Sequence, residues 1–380
     1  MQHIFPLTAI RGIAAFLLAI GHYHFAIAPI DVTIFVNLTH YGMLFVDGFF
    51  VLSGFILAYI YSVSFTTLSH LRKNTERFLI VRLARIYPLH LFTLMVMMLF
   101  HYGGVIQDNT ILAEPEYNDG KHLLFSLFLM QGWGLPEIHH AWNTPSWTIS
   151  VEWLMYLLFP LIILLINTIN RLPLWLPTLC HVVIITSIMT WFSFTIIDHN
   201  TALPALWSND PIRGGGLFVV GLSLYHLFAK NFLKFLPWDI ITISIIIIGT
   251  YGILQLWPIN FMIIFVPVAT YCLAQMKSFA FVIFANRPLV YMGEISYSIY
   301  LWHVPYAIIM AQLFEINPEG FWTGYGLLFL AGLLLLSSFS YHYIENPCRK
   351  FVKNKISKAP INKPPISEEN SSTKSTNNNT

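Results

Sequence analysis

About ten stretches of this sequence run for roughly 17 to 26 residues with few charges: 6–29, 39–61, 79–102, 146–169, 174–197, 213–229, 236–255, 258–276, 288–313 and 321–345. A helix needs about 20 apolar residues to cross the hydrocarbon of a bilayer, and polar interruptions are tolerated where helices face one another. Composition agrees with lipid as the solvent. Only 10% of the 380 residues are charged, against roughly a quarter in an ordinary soluble domain. The expected fold is all-α: a polytopic integral membrane helical bundle of about ten transmembrane helices. A net charge of +2 argues against nucleic acid as a partner. Cys180, Cys272 and Cys348 lie far apart with no CxxC, so neither a disulfide framework nor a metal site is expected.

Lys and Arg set the orientation. With a cytoplasmic N-terminus, the inner segments are 62–78, 170–173, 230–235, 277–287 and the tail from about 346. Arg11, Arg82 and Arg85 then belong to the inner side, and of the 20 Lys and Arg residues only Lys121 and Arg213 fall outside. That bias places both termini in the cytoplasm. The acids Asp108, Glu114, Glu116, Asp119 and Glu137 crowd the outer 103–145 loop. Its apolar segment 121–133 is too short to span and reads as an interfacial or re-entrant helix. Residues 1–350 form the membrane domain, and 351–380 read as a disordered basic, polar cytoplasmic tail.

An ionisable residue at bilayer depth costs about 2.5–3.5 kcal/mol on insertion scales, so it normally faces a cavity or a partner. Arg11 and His22 are eleven residues apart on the first span. Three helical turns put them on one face, about 16 Å apart along the axis. A fixed cation near the cytoplasmic edge and a titratable base past the midplane suit a ligand with an anionic end and a deeper reacting end. Snorkelling of Arg11 and a packing role for His22 stay open at this stage.

Arg82 and Arg85, at i and i+3, share a face at the inner mouth of the third span, with Pro88 close by to kink or break the helix. Guanidinium forks grip phosphate bidentately, and a plain positive-inside anchor is the alternative. Asp47 lies among aromatic residues in the second span and needs a cationic or hydrogen-bonding partner. Glu152 enters the fourth span to a depth comparable with His22, where a carboxylate can polarise an imidazole, transfer protons or bond backbone near a helix start. Glu294, Tyr297, Tyr300 and His303 share one later helix. For Tyr297 and His303 a supporting role is expected. No Walker A, GxGxxG, HExxH or GxSxG occurs.

Six segments in order carry a resemblance. They are LTAIRGIAAFLLAIGHYH with Arg11-x10-His22, VDGFFVLSGF at 46–55, RFLIVRLARIYPLHL at 77–91, SWTISVEWLMYLLFP at 146–160, ISYSIYLWHVP at 295–305 and YIENP at 343–347. Together they resemble acyltransferase family 3, integral membrane acyl-CoA-dependent enzymes of bacteria, over about residues 5 to 350. The resemblance implies that His22 is the essential catalytic residue with Arg11 as its partner. It implies that Arg82 and Arg85 help hold the acyl donor, and that Glu152 fills a Ser-x-Glu position with Ser150. Two departures, Ala9-Ile10 before the Arg-Gly pair and Trp153-Leu154 after Glu152, fall beside the reaction zone and bear on acceptor or acyl choice. The family's common C-terminal SGNH esterase-like domain does not follow, so a second transfer step is expected of another protein.

The implied reaction moves an acyl group, acetyl being the family's commonest, from cytoplasmic acetyl-CoA to a hydroxyl of a cell-surface glycan or glycolipid, with His22 as general base. No metal is expected. The implied partners are membrane lipid, acyl-CoA and a glycan or lipid-linked sugar, in the cytoplasmic (inner) membrane of a bacterium; homo-oligomerisation stays open. A proton-coupled glycolipid transporter using the same buried His, Asp and Glu is the rival reading.

Overall fold

A computed structural model of the chain describes residues 3–26, 33–66, 71–104, 117–138, 140–173, 175–198, 210–314 and 325–357. Regular structure among these residues is helical throughout. Helix α1 (Phe5–Ala26) leads through the short α2 (Thr33–His40) to α3 (Gly42–Tyr61). Helix α4 (Leu71–Tyr102) is 32 residues long and continues through Pro88. A short α5 (Gly120–Leu127) precedes α6 (Trp147–Ile169), α7 (Leu176–Asp198), α8 (Asp210–Ala229) and α9 (Trp238–Leu254). Then come α10 (Ile259–Met262), α11 (Phe265–Gln275), α12 (Phe279–Phe284), α13 (Arg287–Glu294) and α14 (Ser296–Phe314). Helix α15 (Tyr325–Ser340) passes through a π-helical turn, Tyr341–Glu345, into α16 (Asn346–Ser357).

Among the described residues, seven helical stretches are long and apolar enough to cross a membrane, and the shorter apolar stretches Trp238–Leu254 and Ile259–Gln275 accompany them. Leu99, Leu165, Phe194 and Leu335 are 67–72% exposed, which a chain in water would not tolerate on so many helices but lipid welcomes. The chain is an all-α polytopic membrane protein. Two expected spans are interrupted. Residues 258–276 divide into α10 and α11, and 288–313 into α13 and α14 around Ile295. Asn286 caps the start of α13 by accepting from the Leu289 amide (3.0 Å), and at the break itself the Ser296 hydroxyl donates to the Gly293 carbonyl (2.8 Å). Interrupted backbone at bilayer depth is tolerated where side chains satisfy it inside the protein.

Helix α1 packs against α2, α3, α13 and α14. Its crossing with α13 is backbone against backbone, since a Cβ on Gly293 would stand 1.9 Å from the Thr8 carbonyl oxygen. Helices α3 and α8 cross the same way at Gly54 and Gly221, where an added Cβ would meet the Phe218 or Val51 carbonyl oxygen at 2.0 Å. Small residues allow such approach, and dispersion and weak contacts then replace the hydrophobic force that lipid removes.

The α3–α4 connection and the end of α6 lie on one face: Asn167 donates to the Phe65 carbonyl (3.1 Å) and Arg171 to the Thr66 carbonyl (3.0 Å). The opposite face carries the segment before α6. There Asp119 caps α5 by accepting from the His122 amide (2.8 Å). The helix expected over 121–133 ends at Leu127, because Leu129 takes a left-handed backbone (φ 56°). Asp108, Glu114 and Glu116 of that loop lie outside the described residues. At the other end α16 continues to Ser357, so the tail expected over 351–380 is helical at its start, and its remainder lies outside the described residues.

Candidate active site

Two adjoining cavities lie between α1, α3, α4, α6 and α14. Counting the open space at their mouths, they hold about 520 and 410 Å³. Arg11, Ser53, Glu152 and Tyr297 line both. The wider one adds Thr148, Ser296 and Tyr300, and the narrower adds Arg82, Arg85 and Tyr156. Five residues singled out from the sequence, Arg11, Arg82, Arg85, Glu152 and Tyr297, therefore come together from four separate helices.

Each arginine has a different environment. Arg82 is buried, donates to the Tyr61 hydroxyl (2.9 Å), and has its guanidinium carbon 5.1 Å from the Tyr61 ring centre and 5.8 Å from that of Phe78. Aromatic faces hold a planar guanidinium by cation–π attraction and leave its edge nitrogens free. Its Nε is buried without a hydrogen-bond partner among the described residues. Arg11 and Arg85 lie within electrostatic reach of each other and of Glu152 and Glu345. Among the described residues neither makes a hydrogen bond or close ion pair. Three fixed cations and the Glu152 carboxylate line one polar pocket, with Glu345 within electrostatic reach of two of the arginines, an arrangement with the charge to receive an anion.

Glu152 is fastened rather than free. Its Oε1 accepts from the Ser53 hydroxyl and from the Tyr156 hydroxyl (2.5 Å). The second oxygen has no hydrogen bond among the described residues. Tyr297 donates to the Ile86 carbonyl (2.5 Å), two residues before Pro88, and so joins α14 to α4 across the cavity wall.

His22 stands apart from this group and lines neither cavity. Its Nδ1 is 3.2 Å from Nε2 of His303, and the two rings stack with centres 5.0 Å apart. His303 in turn places Nδ1 2.5 Å from the Tyr300 carbonyl oxygen. Tyr300, which lines the wider cavity, thus connects the histidine pair to the Glu152 pocket. Sequence reasoning put Glu152 and His22 at a common depth, but the structure gives His22 an imidazole partner and Glu152 two hydroxyls. Depth follows from counting residues along a helix; which neighbour a side chain meets depends on how the helices are rotated in the bundle.

Two other expected residues hold structure together. Asp47 pairs with Arg213 of α8, both buried. The Ser150 hydroxyl donates to the Leu129 carbonyl (2.7 Å) and accepts from the Gly132 amide (3.0 Å), so it pins the preceding loop to α6 and contributes nothing to the cavity wall. In that loop the Asp119 carboxyl lies below the usual carboxylate range, chiefly because it accepts from the His122 amide and then from the His122 ring. Sequence reasoning missed Ser53, Tyr61, Tyr156 and Glu345 as site residues. Ser53 and Glu345 do stand inside the segments VDGFFVLSGF and YIENP, and Glu345 closes the π-helical turn, a local irregularity that often marks functional positions.

The family profile described as "Acyltransferase domain" matches residues 6–341, from α1 to the π-helical turn. The chain belongs to acyltransferase family 3. Acyltransferase MdmB of Streptomyces mycarofaciens is 37% identical over 148 residues, 38% of this chain and 34% of that one. The putative peptidoglycan O-acetyltransferase YrhL of Bacillus subtilis is 24% identical over 92% of this chain and 56% of its own length. O-acetyltransferase OatA of Staphylococcus aureus is 24% identical over 81% of this chain and 53% of its own. The chain thus spans between about a third and just over half of these relatives. No solved structure matches it.

Proposed function

We propose that this family member is an O-acyltransferase of the bacterial inner membrane. It would take an acyl group, most simply acetyl, from acyl-CoA on the cytoplasmic side to a hydroxyl of a glycan or lipid-linked sugar. The observation that carries this reading is the convergence of Arg11, Arg82 and Arg85 on one polar cavity that Glu152 and Tyr297 share with its neighbour. Phosphates of the donor would meet the arginine edges, and the pantetheine arm would run from there past Glu152 toward His22. Both termini would be cytoplasmic, with about ten crossings.

In the transfer step His22 takes the proton of the acceptor hydroxyl while that oxygen attacks the thioester carbonyl. The carbon–sulfur bond breaks, the ester forms, and the leaving thiolate takes up the proton to give free CoA. Glu152, with one oxygen fixed by two hydroxyls, offsets part of the cationic charge and orders Tyr156 beside Arg82. A relay for transporting protons has no need of three arginines beside one cavity, which favours transfer chemistry over the transporter reading.

The test is thiol release by purified protein in lipid nanodiscs supplied with acetyl-CoA and candidate glycans. Acceptor-dependent release is expected, and His22→Ala should remove it while CoA binding stays measurable. Retained transfer in His22→Ala would overturn the role given to His22. Acceptor movement across the bilayer without thiol release would overturn the reaction class.

A further inference from the structure

The histidine pair has an internal logic that the arginine pocket does not require. A carbonyl oxygen can only accept a hydrogen bond, so the His303 nitrogen 2.5 Å from the Tyr300 carbonyl must carry hydrogen. The Ile299 carbonyl, one turn earlier, also faces this ring. His303 is 1% exposed, and no carboxylate contacts either ring among the described residues. An unpaired charge in such a place is costly, so the ring is neutral. Its Nε2 then bears a lone pair, and the hydrogen in the 3.2 Å contact belongs to His22 Nδ1. The Leu18 carbonyl, one turn before His22, also faces that ring, a contact compatible with the same tautomer because Nδ1 is the nitrogen nearer the backbone.

We propose that His303 is a positioning residue that locks His22 in the Nδ1–H tautomer, so that Nε2 of His22 is the nitrogen presented to the acceptor hydroxyl. The inference rests on the general-base reading of His22 and adds the group that makes it work. A neutral imidazole fixed by a backbone carbonyl takes the place that a carboxylate holds in a Ser-His-Asp triad. When His22 accepts the acceptor's proton at Nε2, its Nδ1–H still points at the lone pair of His303. The resulting cation is therefore hydrogen-bonded at once, with no ring flip. Tyr300 holds the frame from below, since its hydroxyl donates to the Pro145 carbonyl (2.9 Å) and accepts from Thr148 (3.0 Å).

Nitrogen-15 spectra of protein labelled in its 15 histidines test this directly. The His22 signals are those lost in His22→Ala. They should show a protonated-type Nδ1 and a lone-pair-type Nε2 in the wild type. Gln at 303 sets an amide where Nε2 was and keeps an acceptor for His22. Asn at 303 reaches only the Nδ1 position and bonds Tyr300 alone. His303→Gln should hold turnover within about tenfold and keep the His22 pattern; His303→Asn should lose about a hundredfold or more and mix the two tautomers, with CoA affinity unchanged in both. A folded His303→Asn protein with wild-type turnover and an unchanged His22 pattern would overturn the proposal, as would a wild-type spectrum with hydrogen on His22 Nε2. If His22→Ala keeps its activity, the general-base reading fails by itself, and the spectra still decide whether the tautomer is locked.

Discussion

Arg213 grips Asp47 with two parallel hydrogen bonds, Nε to Oδ1 at 2.7 Å and Nη2 to Oδ2 at 2.6 Å, and both side chains are buried. The pair sits on the same seam of α3 and α8 that Gly54 and Gly221 close about two turns further along. One of the two basic residues that the positive-inside count left on the outer side is thereby accounted for as structure.

Removing either partner leaves the other charge buried and uncompensated, which costs about 3–5 kcal/mol. Asp47→Ala and Arg213→Ala should each lower the unfolding temperature in detergent markedly. Asp47→Leu with Arg213→Met should recover a large part of the loss, because an apolar pair of similar volume needs no desolvation. If the double variant is no better than the singles, the pair serves something other than helix association.

The glycines of α3 make opposite predictions at nearby positions. A Cβ on Gly54 would lie 2.0 Å from a backbone oxygen of α8, whereas one on Gly48 meets nothing within 4 Å. Gly54→Ala should abolish the monodisperse protein peak in size-exclusion chromatography. Gly48→Ala should leave it intact and raise helix stability by up to about 1 kcal/mol. Equal behaviour of the two variants would refute the close crossing.

Glu152→Gln preserves the acceptor oxygen for Ser53 and Tyr156 but removes a negative charge from among three arginines. CoA binding by calorimetry should be unchanged or tighter, while turnover falls by about tenfold or more. Weaker CoA binding would mean that Glu152 does not share the arginines' field.

Asp119 offers a pH test outside the membrane. Its folded-state carboxyl lies below the unfolded value because it accepts from His122. A depressed acid stabilises the fold fully above the unfolded value, near pH 4, and that contribution is lost as pH falls through the folded value. Amide exchange of 120–127, corrected for its intrinsic pH dependence, should show protection falling selectively below about pH 4. Asp119→Asn should flatten that dependence, and an unaltered profile in the variant would exclude the cap as its cause.

The sequence by itself determined the solvent, the helices and most of the residues worth watching. Twenty-residue apolar runs demand lipid, and in lipid every backbone group must be bonded inside the protein; runs of this length are too long for barrel strands and do so as helices. Scarce charge made Arg11, Arg82, Arg85, Glu152 and His22 visible for the same energetic reason. Only the tertiary structure decided who meets whom. Helix periodicity reports depth and face, but the angle at which a face meets its neighbours is set by crossings such as Thr8 on Gly293 and Val51 on Gly221. Those contacts join residues 285 and 170 positions apart. They turned Glu152 toward Ser53, gave Asp47 to Arg213, made Ser150 a tether, and left His22 facing His303.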